Sequence, residues 1–153
     1  MLLDTSGDAL FKRGWRQDKG DAPLKETLAA AMLAACGWWQ PAARSVSPLP
    51  LYDPCCGSGT IVIEAAQLAL GLPAGGQRTF AFERLPPFDA ALRQQWQAMK
   101  AQATPADPAA NSPVRIFGSD VAHRMADFAQ RNAERAGVAR ADRKSTRLNS
   151  SHW

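Results

Sequence analysis

Residues 51–66 read Leu-Tyr-Asp-Pro-Cys-Cys-Gly-Ser-Gly-Thr-Ile-Val-Ile-Glu-Ala-Ala, and no other stretch narrows the fold so far. Leu51 and Tyr52 end a short apolar strand, Asp53 stands at its carboxyl end, and Thr60 opens a helix after a tight glycine turn. Open α/β sheets gather their ligand-binding groups at this end of their strands. Gly57 and Gly59 can take positive φ and, lacking Cβ, let a ligand approach the backbone. The first turn of the helix leaves N–H groups pointing back at the loop. A carboxylate beside such amides suits a ligand that carries both an ammonium and a carboxylate.

Two other loops are eliminated. A phosphate-gripping P-loop needs Gly-Lys-Ser/Thr, and no lysine follows Gly59. The dinucleotide fingerprint needs a third glycine, and that position holds Val62. Asp53-Pro54-x-x-Gly57-Ser58-Gly59-Thr60 instead resembles motif I of the class I methyltransferases that use S-adenosyl-L-methionine.

The 153 residues suffice for one modest domain. No apolar run reaches the length of a membrane span, and no basic-then-apolar leader opens the chain, so the default location is the cytoplasm. Cys36, Cys55 and Cys56 lack the spacing of a zinc or redox pair, and His123 and His152 have no partners at ligand spacing, so no metal is expected. The net charge of +4 hints at a nucleic-acid partner. Residues 142–152 weaken that hint, because the string matches a translated sequencing adapter and is set aside from fold reasoning. That tail carries three basic residues and one acidic; without it 15 basic residues face 13 acidic ones. A natural basic tail is the alternative.

In chain order, Asp4-Thr5-Ser6-Gly7 is turn chemistry, and two short strands around it form an expected hairpin within residues 1–20. Lys12, Arg13 and Arg16 among Leu10, Phe11 and Trp15 make either a phosphate-contacting RNA edge or a solvated face. Pro23 near a first turn starts a helix with Leu24, Leu28, Ala31, Met32 and Ala35 inward, ended by Gly37. Lys25 and Glu26 face either a ligand pocket or water. Residues 38–50 form a connector. The motif helix runs to about Leu70 with Ile61, Ala65, Leu68 and Ala69 buried, and Gly71 and Pro73 stop it. Asp89 caps a helix whose Leu92, Trp96 and Met99 stripe packs into the core. Residues 104–113 form a proline- and alanine-rich connector. Val114 to Asp120 is a second strand ending in an acid, which suits two ribose hydroxyls or a helix cap. Val121, Met125, Phe128 and Ala129 begin the last helix, which Gly137 ends. The 67-residue separation of Asp53 and Asp120 exceeds a simple strand–helix–strand unit, so the Asp89 helix is an insertion.

Asp4-Thr5-Ser6-Gly7, Leu10-Phe11-Lys12-Arg13-Gly14, residues 23–30 as Pro-Leu-Lys-Glu-Thr-Leu-Ala-Ala, motif I and Gly118-Ser119-Asp120 occur in order. Together they resemble bacterial ribosomal-RNA methyltransferases that modify the N2 of a guanine in large-subunit RNA. The resemblance implies the first strands and helices of a Rossmann-like α/β methyltransferase fold, with residues 21–141 as its donor-binding part. It implies S-adenosyl-L-methionine as cofactor and ribosomal RNA as partner, with no membrane. Asp53, Pro54, Cys56, Gly57, Ser58, Gly59 and Thr60 would hold the methionine end through the carboxylate and the 57–60 amides, and Asp120 the ribose. Cys56 matches the usual family cysteine, whereas Cys55 is a variant position. Family members carry an RNA-binding THUMP domain before the equivalent of Met1. They also carry an Asn-Pro-Pro-Tyr motif whose Asn and proline carbonyl hold the guanine amino group while the Tyr stacks on the flipped base. That motif does not occur here, so no catalytic residue is assigned, and the chain is expected to be an inactive fragment. A DNA or other amino-methyltransferase shares motif I, and a non-catalytic RNA-binding module is the reading from another class.

Overall fold

The computed structural model describes residues 4–43, 45–105 and 114–139 with their side chains, and 146–148 as backbone. The expected connector is thus outside the described residues from 106 to 113, as are residues 1–3 and the rest of the tail. The elements run α1 (Glu26–Ala35), β1 (Trp39–Gln40), β2 (Ser45–Val46), β3 (Leu51–Asp53), α2 (Thr60–Ala69), a single 3₁₀ turn (Ala81–Arg84), α3 (Ala90–Ala103), β4 (Ile116–Gly118), α4 (His123–Arg135) and β5 (Thr146–Leu148).

β3, β4 and β5 form a parallel sheet in that order, with Leu51 opposite Ile116 and Asp53 opposite Gly118. The register brings the carboxyl ends of β3 and β4 side by side, which places Asp53 next to the turn that carries Asp120. α2 is the centre of the molecule: it touches α1, β2, β3, β4 and α4. Seven of its ten residues are buried, but of the expected inward face only Ala65 is among them; Ile61, Leu68 and Ala69 are partly buried against the core. Val62, Ile63, Ala65 and Ala66 pack with Leu33, Trp15, Trp38, Ile116 and Ala133 in one core. Burying side chains the size of Ile63 or Val62 contributes about 1.5–3 kcal/mol each.

Several expectations are corrected. The N-terminal hairpin does not form among the described residues; residues 4–20 contain no strand. The Asp4 carboxylate turns the chain by accepting the Ser6 N–H at 2.8 Å. The buried Arg78 guanidinium then collects the carbonyl oxygens of Ser6, Asp8, Ala9 and Lys12, which holds the segment as an irregular turn. The segment is tied into the core by Trp15, which is among the most deeply buried side chains.

α1 faces the other way from the expected stripe. Glu26, Ala29 and Leu33 are buried, whereas Leu28 and Met32 are about half exposed. The buried ion pair of Glu26 with Arg16 at 2.9 Å fixes the inward face, which apolar spacing alone misjudged. The connector before β3 contains the antiparallel pair β1–β2, with Trp38 buried and its Nε1 donating to the Leu49 carbonyl at 3.2 Å.

α3 is capped as expected by Asp89, whose Oδ1 accepts the Leu92 N–H at 2.9 Å. None of its residues is buried, and Leu92 and Met99 are exposed, so the stripe is not core. Trp96 holds it edge-on to Phe80 and Phe82. α4 begins at His123 rather than Val121, which is 90% exposed. In the tail, the backbone of Thr146–Leu148 pairs with β4, which the reading of 142–153 as foreign to the fold did not anticipate. A strand edge offers free N–H and C=O groups that pair with any extended backbone.

Candidate functional site

The β3–α2 loop is laced to the end of β4. The Cys56 N–H donates to the Ser119 carbonyl at 2.9 Å, and the Ser119 N–H to the Asp53 carbonyl at 2.9 Å. Ser119 Oγ lies 2.7 Å from the Tyr52 hydroxyl, adding a side-chain tie across the same two strands. The loop needs both glycines, for different reasons. Gly59 has φ 90° and closes against α4: a Cβ there would lie 3.0 Å from Ala129 Cβ and 3.0 Å from Ile63 Cδ1. Gly57 has φ 54°, and a Cβ there would meet nothing within 4 Å. The loop is therefore packed from behind at Gly59 and open at Gly57.

Two carboxylates face this loop. Asp53 Oδ1 accepts the Cys55 N–H at 3.1 Å. Burial raises its pKa above the ordinary carboxylate value against the pull of that hydrogen bond, and the negative charge of Asp120 adds to the rise. An incoming ammonium would favour the charged carboxylate and so oppose the rise. Asp120 Oδ2 accepts the Gly57 N–H at 2.9 Å and its Oδ1 accepts the Ala122 N–H at 2.9 Å. Each oxygen keeps a further lone pair for a ligand hydroxyl. Asp120 precedes α4 rather than capping it, since the N-cap position is Ala122.

The amide inventory differs from expectation. Of the 57–60 N–H groups, Gly57 is engaged by Asp120, and Gly59 donates to the Cys56 carbonyl at 2.8 Å. The two glycines thus act through conformation, and Ser58 and Thr60 remain as loop donors, with the first turn of α2 behind them. The Cys56 thiol is buried, and burial together with Asp53 and Asp120 pushes its pKa up to about 12. It stays protonated and fills space; Cys55 and Cys36 are exposed. Among the described residues no group of three or more His, Cys, Asp or Glu side chains could hold a metal ion. No described helix is long and apolar enough to cross a membrane.

Residues 13–146 match the model of the RMKL-like methyltransferase domain. The chain belongs to that family. The chain is 43% identical over 143 residues to a ribosomal RNA large subunit methyltransferase K/L of Shewanella loihica, covering 90% of this chain and 18% of that protein. The chain thus spans under a fifth of that relative's length. Among solved structures it is similar to SMU.472 complexed with SAH, with a TM-score of 0.70 and 35% identity over 94% of this chain and 34% of that one. It is also similar to a predicted N6-adenine-specific DNA methylase from Listeria monocytogenes str. 4b F2365, with a TM-score of 0.73 and 34% identity over 96% of this chain and 35% of that one. The architecture is accordingly α/β, part of the Rossmann-like fold of class I methyltransferases.

The basic cluster of the leading segment lies against α2, beside the loop. Arg13 Nε pairs with Glu64 at 3.0 Å, with the two side chains 14% and 3% exposed. Arg16 Nε pairs with Glu26, and its Nη2 donates to Thr60 Oγ1 at 2.6 Å and to the Leu24 carbonyl at 3.0 Å. Burial outweighs the guanidinium beside Glu64 and leaves its pKa above the usual carboxylate value. Swinging Arg13 out to a phosphate would strand a buried carboxylate, a loss of about 3–5 kcal/mol. An exposed ion pair returns only about 0–1 kcal/mol. That corrects the expectation that Arg13 and Arg16 form a free RNA edge; Lys12, paired with Asp8 at 3.0 Å, is the exposed member.

Sequence reasoning missed two anchors. Asn132 is wholly buried, and its Nδ2 donates to the Ser58 carbonyl at 3.0 Å and the Asp18 carbonyl at 2.7 Å. Its Oδ1 accepts the N–H groups of Gln17 and Asp18, both at 3.3 Å. The signal was present: Asn132 sits at helical spacing with Ala126, Ala129 and Ala133, a polar residue on an inward stripe. Arg78 follows a glycine pair and has no comparable pattern.

Proposed function

We propose that this chain is the donor-binding part of an S-adenosyl-L-methionine-dependent enzyme that methylates ribosomal RNA on the N2 of a guanine. One observation carries the reading: a loop open at Gly57 lies between two carboxylates and the start of α2. Asp53 would take the donor's ammonium, the Ser58 and Thr60 amides its carboxylate, and Asp120 the ribose hydroxyls. Pro54, Cys56, Gly57 and Gly59 shape the loop. The Shewanella relative's name supplies ribosomal RNA, and the SAH in SMU.472 supports this ligand class.

The chemistry is an in-line displacement. The guanine amine lone pair forms a bond to the methyl carbon as the carbon–sulfur bond breaks, the electron pair stays on sulfur, and the amine proton leaves to solvent. Catalysis of this kind is chiefly positioning. The amine-orienting Asn-Pro-Pro-Tyr is absent from these 153 residues, so we expect donor binding without turnover. A DNA amino-methyltransferase, favoured by the Listeria relative's name, would use the same loop on another substrate.

Isothermal titration of the 153-residue chain with S-adenosyl-L-methionine tests the reading. Binding is expected, weakened about tenfold or more in Asp53→Ala through loss of a charge-assisted contact of about 1.5–3 kcal/mol. No heat from a chain shown to be folded by circular dichroism would overturn it. Methyl transfer to unmodified ribosomal RNA by this chain alone would overturn the expected lack of turnover.

A further inference from the structure

A concavity lies between the leading segment, the start of α1 and residues 77–79. It is a cleft of about 690 Å³ whose walls include Phe11, Lys12, Arg16, Lys19, Lys25 and Arg78. Its two acids, Asp8 and Glu26, are already paired with Lys12 and Arg16. Arg78 is engaged by carbonyl oxygens. Lys19 and Lys25 are exposed and have no carboxylate partner among the described residues, so the cleft keeps a net positive charge. Lys25 Nζ rests 5.3 Å from the centre of the Phe11 ring, which puts an aromatic face beside the cations.

Two further observations describe the wall of this cleft. Arg16 Nη1 is buried with no hydrogen-bond partner among the described residues, although the other two guanidinium nitrogens are engaged. That nitrogen has almost no accessible surface and its guanidinium lies 5.3 Å from the centre of the Trp15 ring, so it shows how tightly Arg16 is held rather than a contact for an occupant. The first turn of α1 also contributes Lys25 and Glu26 to the wall, so the positive end of that helix opens here. The same guanidinium holds Thr60 Oγ1 at 2.6 Å, so the cleft and the donor loop share Arg16.

We infer that this cleft docks the backbone of a single-stranded RNA segment: Lys19 and Lys25 take successive phosphates, and a base stacks on Phe11. The inference rests on the RNA-methylating reading above and deepens it, assigning the RNA contact to Lys19, Lys25 and Phe11 rather than to Arg13. Exposed cations beside an aromatic ring fit a flexible strand with charged links and flat bases better than an acidic protein surface, which has no flat base to take the place of Lys25 on the ring.

The test is fluorescence anisotropy of a short single-stranded RNA with the 153-residue chain over a salt series. For single strands the slope of log affinity against log salt falls by about 0.7 for each phosphate contact removed. Lys19→Ala and Lys25→Ala should each lower the slope by that amount, and together by about twice it. Phe11→Ala should weaken binding with the slope unchanged. Arg93→Ala combined with Lys100→Ala removes the same charge elsewhere and should change the slope little. Equal slope loss from that control pair, no RNA binding by the parent chain, or equal competition by polyglutamate would each overturn the inference. So would loss of S-adenosyl-L-methionine affinity in the Lys19/Lys25 pair with RNA binding intact, because the cleft would then belong to the donor. A chain that binds no donor yet shows the lysine-dependent slope would sink the enzymatic reading and leave this one standing.

Discussion

Gly57 and Gly59 both sit at positive φ two residues apart, yet the structure assigns them different work. An alanine at Gly59 would meet Ala129 and Ile63 at 3.0 Å, adding overpacking of about 1–3 kcal/mol to a left-handed backbone penalty of about 1–2 kcal/mol. Gly59→Ala should therefore unfold at markedly lower denaturant. Gly57→Ala should carry the backbone penalty alone, remain folded, and lose donor affinity because its methyl group enters the open side. Urea titration paired with calorimetry separates the two; equal destabilisation would contradict the packing difference. From the sequence the two glycines look interchangeable, because φ demand is visible in a motif and the proximity of a helix 70 residues away is not. The engagement of the Gly57 amide was hidden for the same reason, since it depends on where the Asp120 carboxylate arrives.

Elements were legible where periodicity and caps agreed. The α2 start at Thr60, the Asp89 cap and the Gly37 and Gly137 stops stand where turn chemistry puts them. The inward face of α1 was not legible, because a buried Glu26 paired with Arg16 overrides an apolar count. α4 shows how a polar residue can organise an element. Asn132 joins it to Ser58 in the loop and to residues 17 and 18 of the leading segment. Asn132→Ala would leave several of these groups buried and unpaired, at about 1–3 kcal/mol each. We expect a fall in melting temperature of roughly 5–15 °C. A fall below that range would mean that water replaces the amide and that the three-way tie is dispensable.

For the molecule as a whole, the leading segment is as much a part of the fold as the sheet. Arg78 gathers its carbonyl oxygens, Trp15 enters the core, and Asp18 pairs with Arg131 at 3.0 Å and with Arg135 at 2.6 Å. Those hydrogen bonds to Arg131 and Arg135 lower the Asp18 pKa from 3.8 to about 2. A depressed carboxylate contributes stability that is fully present above its unfolded pKa and lost as pH falls through the folded one. Thermal melts should thus worsen between about pH 4 and pH 2, and Asp18→Asn should flatten that limb. An unchanged acid limb in the variant would place the sensitivity elsewhere. Glu64 and Asp53, raised by burial, act in the opposite sense at higher pH. The class of fold was readable from residues 51–66, whereas the integration of residues 4–20 was not, because it depends on contacts with residues more than 50 positions away. The close seating of Gly59 on α4 has one more consequence. A binding loop with no slack has little left to order when its ligand arrives. Capture should then be close to rigid-body docking, with a heat-capacity change no larger than the contact area alone requires.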